Sequence, residues 1–279
     1  MTPLNLPDLR DRLAHWRPTV HYLAQTEAHV YALAISASVL LSFYPFLTVM
    51  LSFCHNVLHW HAAEEAIYLA LGDFFAGEPG RFLARNLQPW MVGKVHLTSM
   101  VLLLFTANGI FEPLEVALNR AWGVTQNRSY LKNQLVSLGL IFACGGLALL
   151  SLMLTALNKD WMSRWAGAGA LQAWINLAVF KMAALPVSIL ALFLVYWLLP
   201  NRRIDPVRVA PVAILVGLAL EAVKYVNLLF CTLLDSKLQN EYAIFKYSVT
   251  ILLWSFVASM IVLAGAEWTA RRGQEDPLS

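Results

Sequence analysis

Four polar residues recur at helical spacing within an otherwise apolar stretch of the sequence. They are Asn108, Glu112, Glu115 and Asn119. Intervals of 4, 3 and 4 positions would place all four on one face of a helix. Because a carboxylate is costly in lipid, such a stripe indicates the wall of a water-filled cavity. The alternative is a membrane span that ends near Gly109, which would leave both acids at the cytoplasmic interface.

Other charged residues also fall inside apolar segments. Glu221 and Lys224 have i, i+3 spacing and could neutralise each other, either as a structural ion pair or along a transport path. Lys181 has no partner in its own segment, so it would pair with Glu267 or with an acid of the stripe, or extend towards the interface. These residues and the stripe form the predicted cavity lining, which consists of Asn108, Glu112, Glu115, Asn119, Lys181, Glu221, Lys224 and Glu267.

The sequence predicts no catalytic residue, no metal site and no cofactor. His55 and His59 could share a helical turn and bind a metal, with His61 nearby, but no motif fixes an acidic residue beside them. A solvated loop is therefore the favoured interpretation. Walker A, HExxH and GxSxG motifs are absent from the sequence, and no nucleic-acid-binding surface accompanies the acids, which argues against an enzyme such as a ribonuclease.

The composition explains why these charged side chains must be shielded from lipid. The chain is 59% hydrophobic and 13% charged, whereas soluble domains are about 45–50% apolar and about 25% charged. A membrane span needs roughly 20 apolar residues, and six segments qualify. They are Tyr31–Cys54, Val95–Leu118, Leu135–Leu157, Ile175–Leu199, Val209–Leu233 and Ile244–Ala266. The predicted fold class is all-α, a polytopic transmembrane helical bundle of six spans with short interfacial amphipathic helices.

The flanking segments complete the predicted organisation. Residues 1–30 form a cytoplasmic amphipathic segment, 31–270 the membrane domain and 271–279 a cytoplasmic tail. Of the 20 Lys and Arg residues, 11 fall on the side of both termini, 7 on the other side and 2 within spans, which places both termini in the cytoplasm. Ala62–Ala76 has helical apolar periodicity, typical of a helix on the outer membrane surface or of one that caps the bundle.

A basic loop follows the fourth predicted span. Asn201, Arg202 and Arg203 could attract anionic lipid headgroups. Basic residues at this position also set the topology of the chain, and that interpretation is favoured.

Four short motifs resemble those of the YihY/BrkB family of bacterial inner-membrane proteins. They are a Ser-x-x-Pro turn at Ser42–Pro45, Leu-Asn-Arg-Ala-Trp at Leu118–Trp122, Pro-Asn-Arg-Arg at Pro200–Arg203, and Gly-Ala-Glu at Gly265–Glu267. The likeness extends from about Tyr31 to Ala270. The family often has a Tyr-Gly-Ser-rich stretch before the last span, where this chain carries Lys246 in place of the glycine.

The resemblance implies a multi-pass protein of the bacterial inner membrane. Members of the YihY/BrkB family have carried a ribonuclease label and a serum-resistance label, and transport, including that of lipids, has been proposed for them. We therefore expect a transporter or flippase-like permease with membrane lipids as partners and a polar, zwitterionic or lipid substrate. The alternative is a structural or regulatory membrane protein without transport. A homo-oligomer is left open, and no nucleic acid is expected as a partner.

Overall fold

The computed structural model describes residues 17–24, 26–74, 97–124, 128–165, 185–242 and 245–275. Every regular element in these ranges is helical. A short helical segment at residues 17–24 precedes seven longer helices. These are α1 Thr26–Phe53, α2 His61–Phe74, α3 Leu97–Ala121, α4 Tyr130–Trp165, α5 Leu185–Leu198, α6 Pro206–Tyr242 and α7 Lys246–Glu275.

Four stretches of the described helices are long and apolar enough to cross a membrane. They are Glu27–Leu58, Leu131–Ser151, Pro206–Val226 and Lys246–Arg271. The predicted all-α membrane class is therefore confirmed, whereas the count of six spans stays a prediction. The second predicted span coincides with α3, which is not among the four. Part of the fourth lies at residues 166–184, outside the described residues, and its described part is the short apolar helix α5.

The main core lies where α1, α3 and α7 pack together and where α6 meets α7. Small side chains such as Ala32 and Ala117 are completely buried there and bring the helix axes close. Close approach matters in lipid, because packing and hydrogen bonds, more than water exclusion, hold membrane helices together.

A second core lies between the end of α1 and α2. Leu51 and Cys54 on the α1 side pack against Ala63 and Ile67 of α2, and all four are buried. Helix α2 also contacts α4. It overlaps the segment predicted to be amphipathic, and its location relative to the membrane surface stays a prediction.

Candidate functional site

A cavity of about 540 Å³ lies between five helices near the end of α1 that adjoins α2. Its lining is almost entirely apolar. Representative lining residues are Phe43 and Met50 of α1, Leu71 of α2, Ala148 of α4, Ala191 of α5 and Trp254 of α7. The arrangement gives the bundle an apolar chamber at this end, which we call the apolar cavity.

Few polar atoms face the apolar cavity. Its lining includes the hydroxyl-bearing residues Ser151, Ser188 and Ser255. Serine in a helix commonly returns its hydroxyl to a backbone carbonyl of the preceding turn, which leaves little polarity for a ligand. The indole Nε1 of Trp254 is buried and has no hydrogen-bond partner among the described residues. Those predicted cavity residues whose side chains the structure describes do not line this chamber.

The end of α3 holds part of the predicted polar stripe. Glu115 and Asn119 are each 5% exposed, and Asn119 Nδ2 donates to Glu115 Oε1 at 3.3 Å. The oxygen of the same side-chain amide also has a partner, because the backbone N–H of Asn201 donates to Asn119 Oδ1 at 2.6 Å. Glu112 is exposed. Asn119 therefore connects α3 to the loop between α5 and α6, and Glu115 is its partner within α3.

Arg128 also contacts the start of the α5–α6 loop and the end of α5. Its Nη2 donates to the carbonyl oxygen of Pro200 at 2.8 Å, and both terminal nitrogens lie 3.4–3.5 Å from the carbonyl oxygen of Leu198. Arg202 and Arg203 are exposed. Their predicted contact with lipid headgroups stays a prediction.

Glu267 lies at the end of α7 beside the N-terminal helical segment. Thr19 Oγ1 donates to Glu267 Oε2 at 2.6 Å, and Arg271 Nε lies 3.6 Å from Glu267 Oε1. Arg271 Nη2 also donates to Thr19 Oγ1 at 3.2 Å, which closes a three-membered network. Burial raises the pKa of the neighbouring Tyr22, and the negative charge of Glu267 contributes in the same direction, so this phenol stays neutral.

These networks lie at one end of the bundle, which we call the polar end. Its members are Thr19, Glu115, Asn119, Arg128, Asn201, Glu267 and Arg271. The contact of Arg120 Nη2 with Glu27 Oε2 at 2.6 Å joins the end of α3 to the start of α1 at the same place.

Glu221 and Lys224 lie elsewhere, on α6. Lys224 Nζ is 2.7 Å from Glu221 Oε1, and the two side chains are 14% and 28% exposed. The side chain of Asn108 and the whole of Lys181 lie outside the described residues. Of the predicted cavity residues whose side chains the structure describes, three lie at the polar end, Glu112 is exposed on α3, and Glu221 and Lys224 lie on α6.

Sequence reasoning missed Thr19 and Arg128, which complete the polar networks. Neither residue has a diagnostic spacing, and their partners are 248 and 72 positions away along the chain. It also missed the apolar cavity, because residues such as Phe43 and Ala148 have the same composition whether they fill a core or surround a space.

Comparisons with known proteins agree with this architecture. A family model for the virulence factor BrkB matches residues 19–277. The chain belongs to the virulence factor BrkB family. The family resemblance predicted from its motifs is therefore confirmed. No solved structure was found to match the chain.

Relatives of this BrkB-family chain are named UPF0761 membrane proteins. One from Chlorobium chlorochromatii is 26% identical over 84% of this chain and 54% of the relative. One from Chromohalobacter salexigens is 26% identical, with 87% and 59% covered, and one from Pseudomonas aeruginosa is 28% identical, with 88% and 59% covered. The chain thus spans between about half and three fifths of the length of these curated relatives.

Three of the BrkB motifs make direct tertiary contacts. The Leu-Asn-Arg-Ala-Trp and Pro-Asn-Arg-Arg motifs meet through the hydrogen bond between Asn119 and Asn201. Gly265 of the Gly-Ala-Glu motif packs so closely that an added Cβ would clash with Val216 and lie 2.7 Å from the hydroxyl of Tyr196. That hydroxyl donates to the carbonyl oxygen of Val262 at 2.7 Å. These motifs therefore position helices.

Proposed function

We propose that this BrkB-family protein is a lipid-flippase-like permease whose apolar cavity receives the acyl part of a membrane lipid. The observation that carries the proposal is the chemistry of the cavity lining. A permease for a polar solute would place ionisable groups around its central site. The described lining instead consists of aliphatic and aromatic side chains with a few hydroxyls.

The size of the apolar cavity supports a ligand of this class. Its volume of about 540 Å³ lies within the range of about 300–1,000 Å³ that is typical of ligand pockets. An acyl chain already occupies an apolar medium in the bilayer, so entry gains little hydrophobic free energy. The chamber would therefore accept and release lipid without holding it tightly, as movement of lipid between leaflets requires.

The polar end supplies a fixed base for such movement. Asn119 joins α3 to the α5–α6 loop through the backbone N–H of Asn201, and the hydrogen bond from Thr19 to Glu267 joins α7 to the N-terminal helical segment. We propose that six spans place this end in the cytoplasm of a bacterium, with the chain in its inner membrane, as the distribution of basic residues and the family resemblance imply.

The experiment is a flipping assay in liposomes that contain the purified protein. A fluorescent phospholipid is followed with a quencher that cannot cross the membrane. We expect Ala148→Phe combined with Ala258→Phe to slow flipping by more than about tenfold, which corresponds to about 1.4 kcal/mol in the barrier, because both side chains would enter the apolar cavity. Ala37→Phe and Ala222→Phe are matched controls, since both positions are exposed.

Two results would contradict the proposal. Wild-type protein that flips lipid no faster than empty liposomes would exclude the activity. Equal rates for the cavity double variant and the controls would exclude the cavity as the path.

The second candidate is a structural or regulatory membrane protein without transport. The locked ion pairs favour it, namely Glu267 with Arg271 and Glu221 with Lys224. Absence of flipping by well-folded wild-type protein would select it. We also propose that the protein is not an enzyme, and metal-dependent RNA cleavage that Glu112→Gln abolishes would overturn that view.

A further inference from the structure

Two histidines and a buried carboxylate converge where α1 gives way to α2. His55 Nδ1 lies 3.0 Å from Glu64 Oε1, and His61 Nδ1 lies 3.5 Å from the same oxygen. One ligand atom from each residue lies within 4.8 Å of the other two. The side chain of Glu64 is 8% exposed, that of His55 is 37% exposed and that of His61 is 83% exposed. A buried acid thus faces two imidazoles at the protein surface.

The backbone brings these residues together through an unusual turn. A π-helical turn, Cys54–Leu58, follows helix α1. Such turns are rare in proteins, and those that occur are often found at functional sites. His59 then adopts a left-handed conformation, with φ of 50° and ψ of 40°. The chain reverses there, and α2 begins at His61. Glu64 is one helical turn further on, so it shares a face with His61 and points back at His55.

The spacing of the ligand atoms fits a small metal ion. Zinc bonds to histidine nitrogen and carboxylate oxygen are about 2.0–2.2 Å long, so tetrahedral ligand atoms lie roughly 3.3–3.5 Å apart. The two nitrogen-to-oxygen distances are close to this value without movement of the backbone. Imidazole nitrogen with carboxylate oxygen favours zinc and neighbouring transition metals over calcium and magnesium, which prefer oxygen ligands.

We propose that His55, His61 and Glu64 bind one zinc ion at the junction of α1 and α2. The sequence indicated a solvated loop for these histidines because no motif fixed an acid beside them, and in the structure Glu64 takes that place. The exposure of His61 leaves room for a water molecule as the fourth ligand.

The ion would fasten α2 to the end of α1. Ile67 and Leu71, on the following turns of α2, line the apolar cavity. Zinc binding would therefore hold one wall of that cavity in place. The metal site itself does not depend on lipid transport and can be tested without it.

The test is calorimetric titration of zinc into the full chain, purified in detergent through a tag that contains no histidine. We expect wild-type protein to bind one zinc ion per chain. His61→Asn and Glu64→Gln should each weaken binding by at least about tenfold, since each removes a charged or strongly coordinating ligand. Millimolar magnesium should not compete.

His59→Asn is the matched control. His59 is exposed and lies in the same turn, but it is not one of the three converging residues. Asparagine tolerates the left-handed conformation well. We expect this variant to bind zinc like the wild type, and zinc should raise the Tm of both but not that of Glu64→Gln.

Three results would overturn the proposal. The first is no saturable zinc binding by the wild type. The second is unchanged binding by His61→Asn, and the third is an equal loss in His59→Asn and His61→Asn, which would indicate adventitious binding by surface histidines.

Discussion

The polar end and the apolar cavity are built partly from the same helices but are packed differently. At the polar end, Asn119 donates to one carboxylate oxygen of Glu115 and accepts from the loop N–H of Asn201, and near it Gly265 leaves no room for a methyl group. Around the apolar cavity, large side chains such as Phe43 and Trp254 enclose a space and do not fill it. One bundle therefore combines a tightly fixed end with an end that has room for a guest.

The difference follows from how helices associate in lipid. Close backbone approach and hydrogen bonds stabilise helix contacts in lipid, because moving apolar side chains from lipid into a helix contact gains little free energy. In the main core the small buried residues Ala32 and Ala117 perform this role, and at the polar end Asn119 does so through its hydrogen bond to the loop. Bulky apolar residues can face bulk lipid or a lipid-filled cavity at similar cost, because both supply apolar contacts.

The largest stability change is expected for Gly265→Ala. The added methyl group would clash with Val216 and crowd the buried hydroxyl of Tyr196, and such overpacking costs up to about 3 kcal/mol. Thermal unfolding in detergent should show a lower Tm. Gly146→Ala is the control, because a Cβ there meets nothing within 4 Å and alanine favours a helix by about 0.5–1 kcal/mol. A lower Tm for both variants would contradict the argument.

A smaller loss is expected for Asn119→Ala. It would leave the N–H of Asn201 and one carboxylate oxygen of Glu115 without their partner, which costs about 1–2 kcal/mol. Chemical or thermal unfolding measures the loss. The exposed Arg202, in the same loop as Asn201, provides the comparison, since Arg202→Ala should change stability by less than about 0.5 kcal/mol. Equal effects of the two substitutions would remove the distinction between the polar end and other surfaces.

The smallest effect is expected for Ala148→Phe in the apolar cavity. The new ring would occupy part of a volume of about 540 Å³, so unfolding free energy should change by less than about 1 kcal/mol, below the usual penalty of overpacking a filled core. If this single variant unfolded as readily as Gly265→Ala, the cavity end would be as tightly packed as the polar end.

The sequence predicted the helical membrane class because apolar length leaves few alternatives in lipid. It also predicted that Glu115 and Asn119 share a face, which local periodicity determines. It could not predict their link to Asn201, which is 82 positions from Asn119. That contact depends on how separate helices pack, and residue spacing within one helix carries no information about it.

The cluster of His55, His61 and Glu64 shows a second limit of local pattern. His61 and Glu64 have readable i, i+3 spacing, but His55 reaches them only through the reversal at His59. Glycine adopts a left-handed conformation readily, whereas any other residue does so in only about a few per cent of cases, even though histidine is among the more tolerant. The residue types in this turn therefore gave no indication that the end of α1 and the start of α2 would come together.

The close contact at Gly265 also determines how α7 can move. With Val216 and Tyr196 pressed against it there, α7 has a fulcrum at Gly265, and Ile251, which lines the apolar cavity, lies further along the same helix. Fourteen residues separate the two positions, about 21 Å along a helix. A tilt of only about 5° at the fulcrum would displace the far wall by about 2 Å over that length, so a slight rocking of one helix could widen or narrow the chamber.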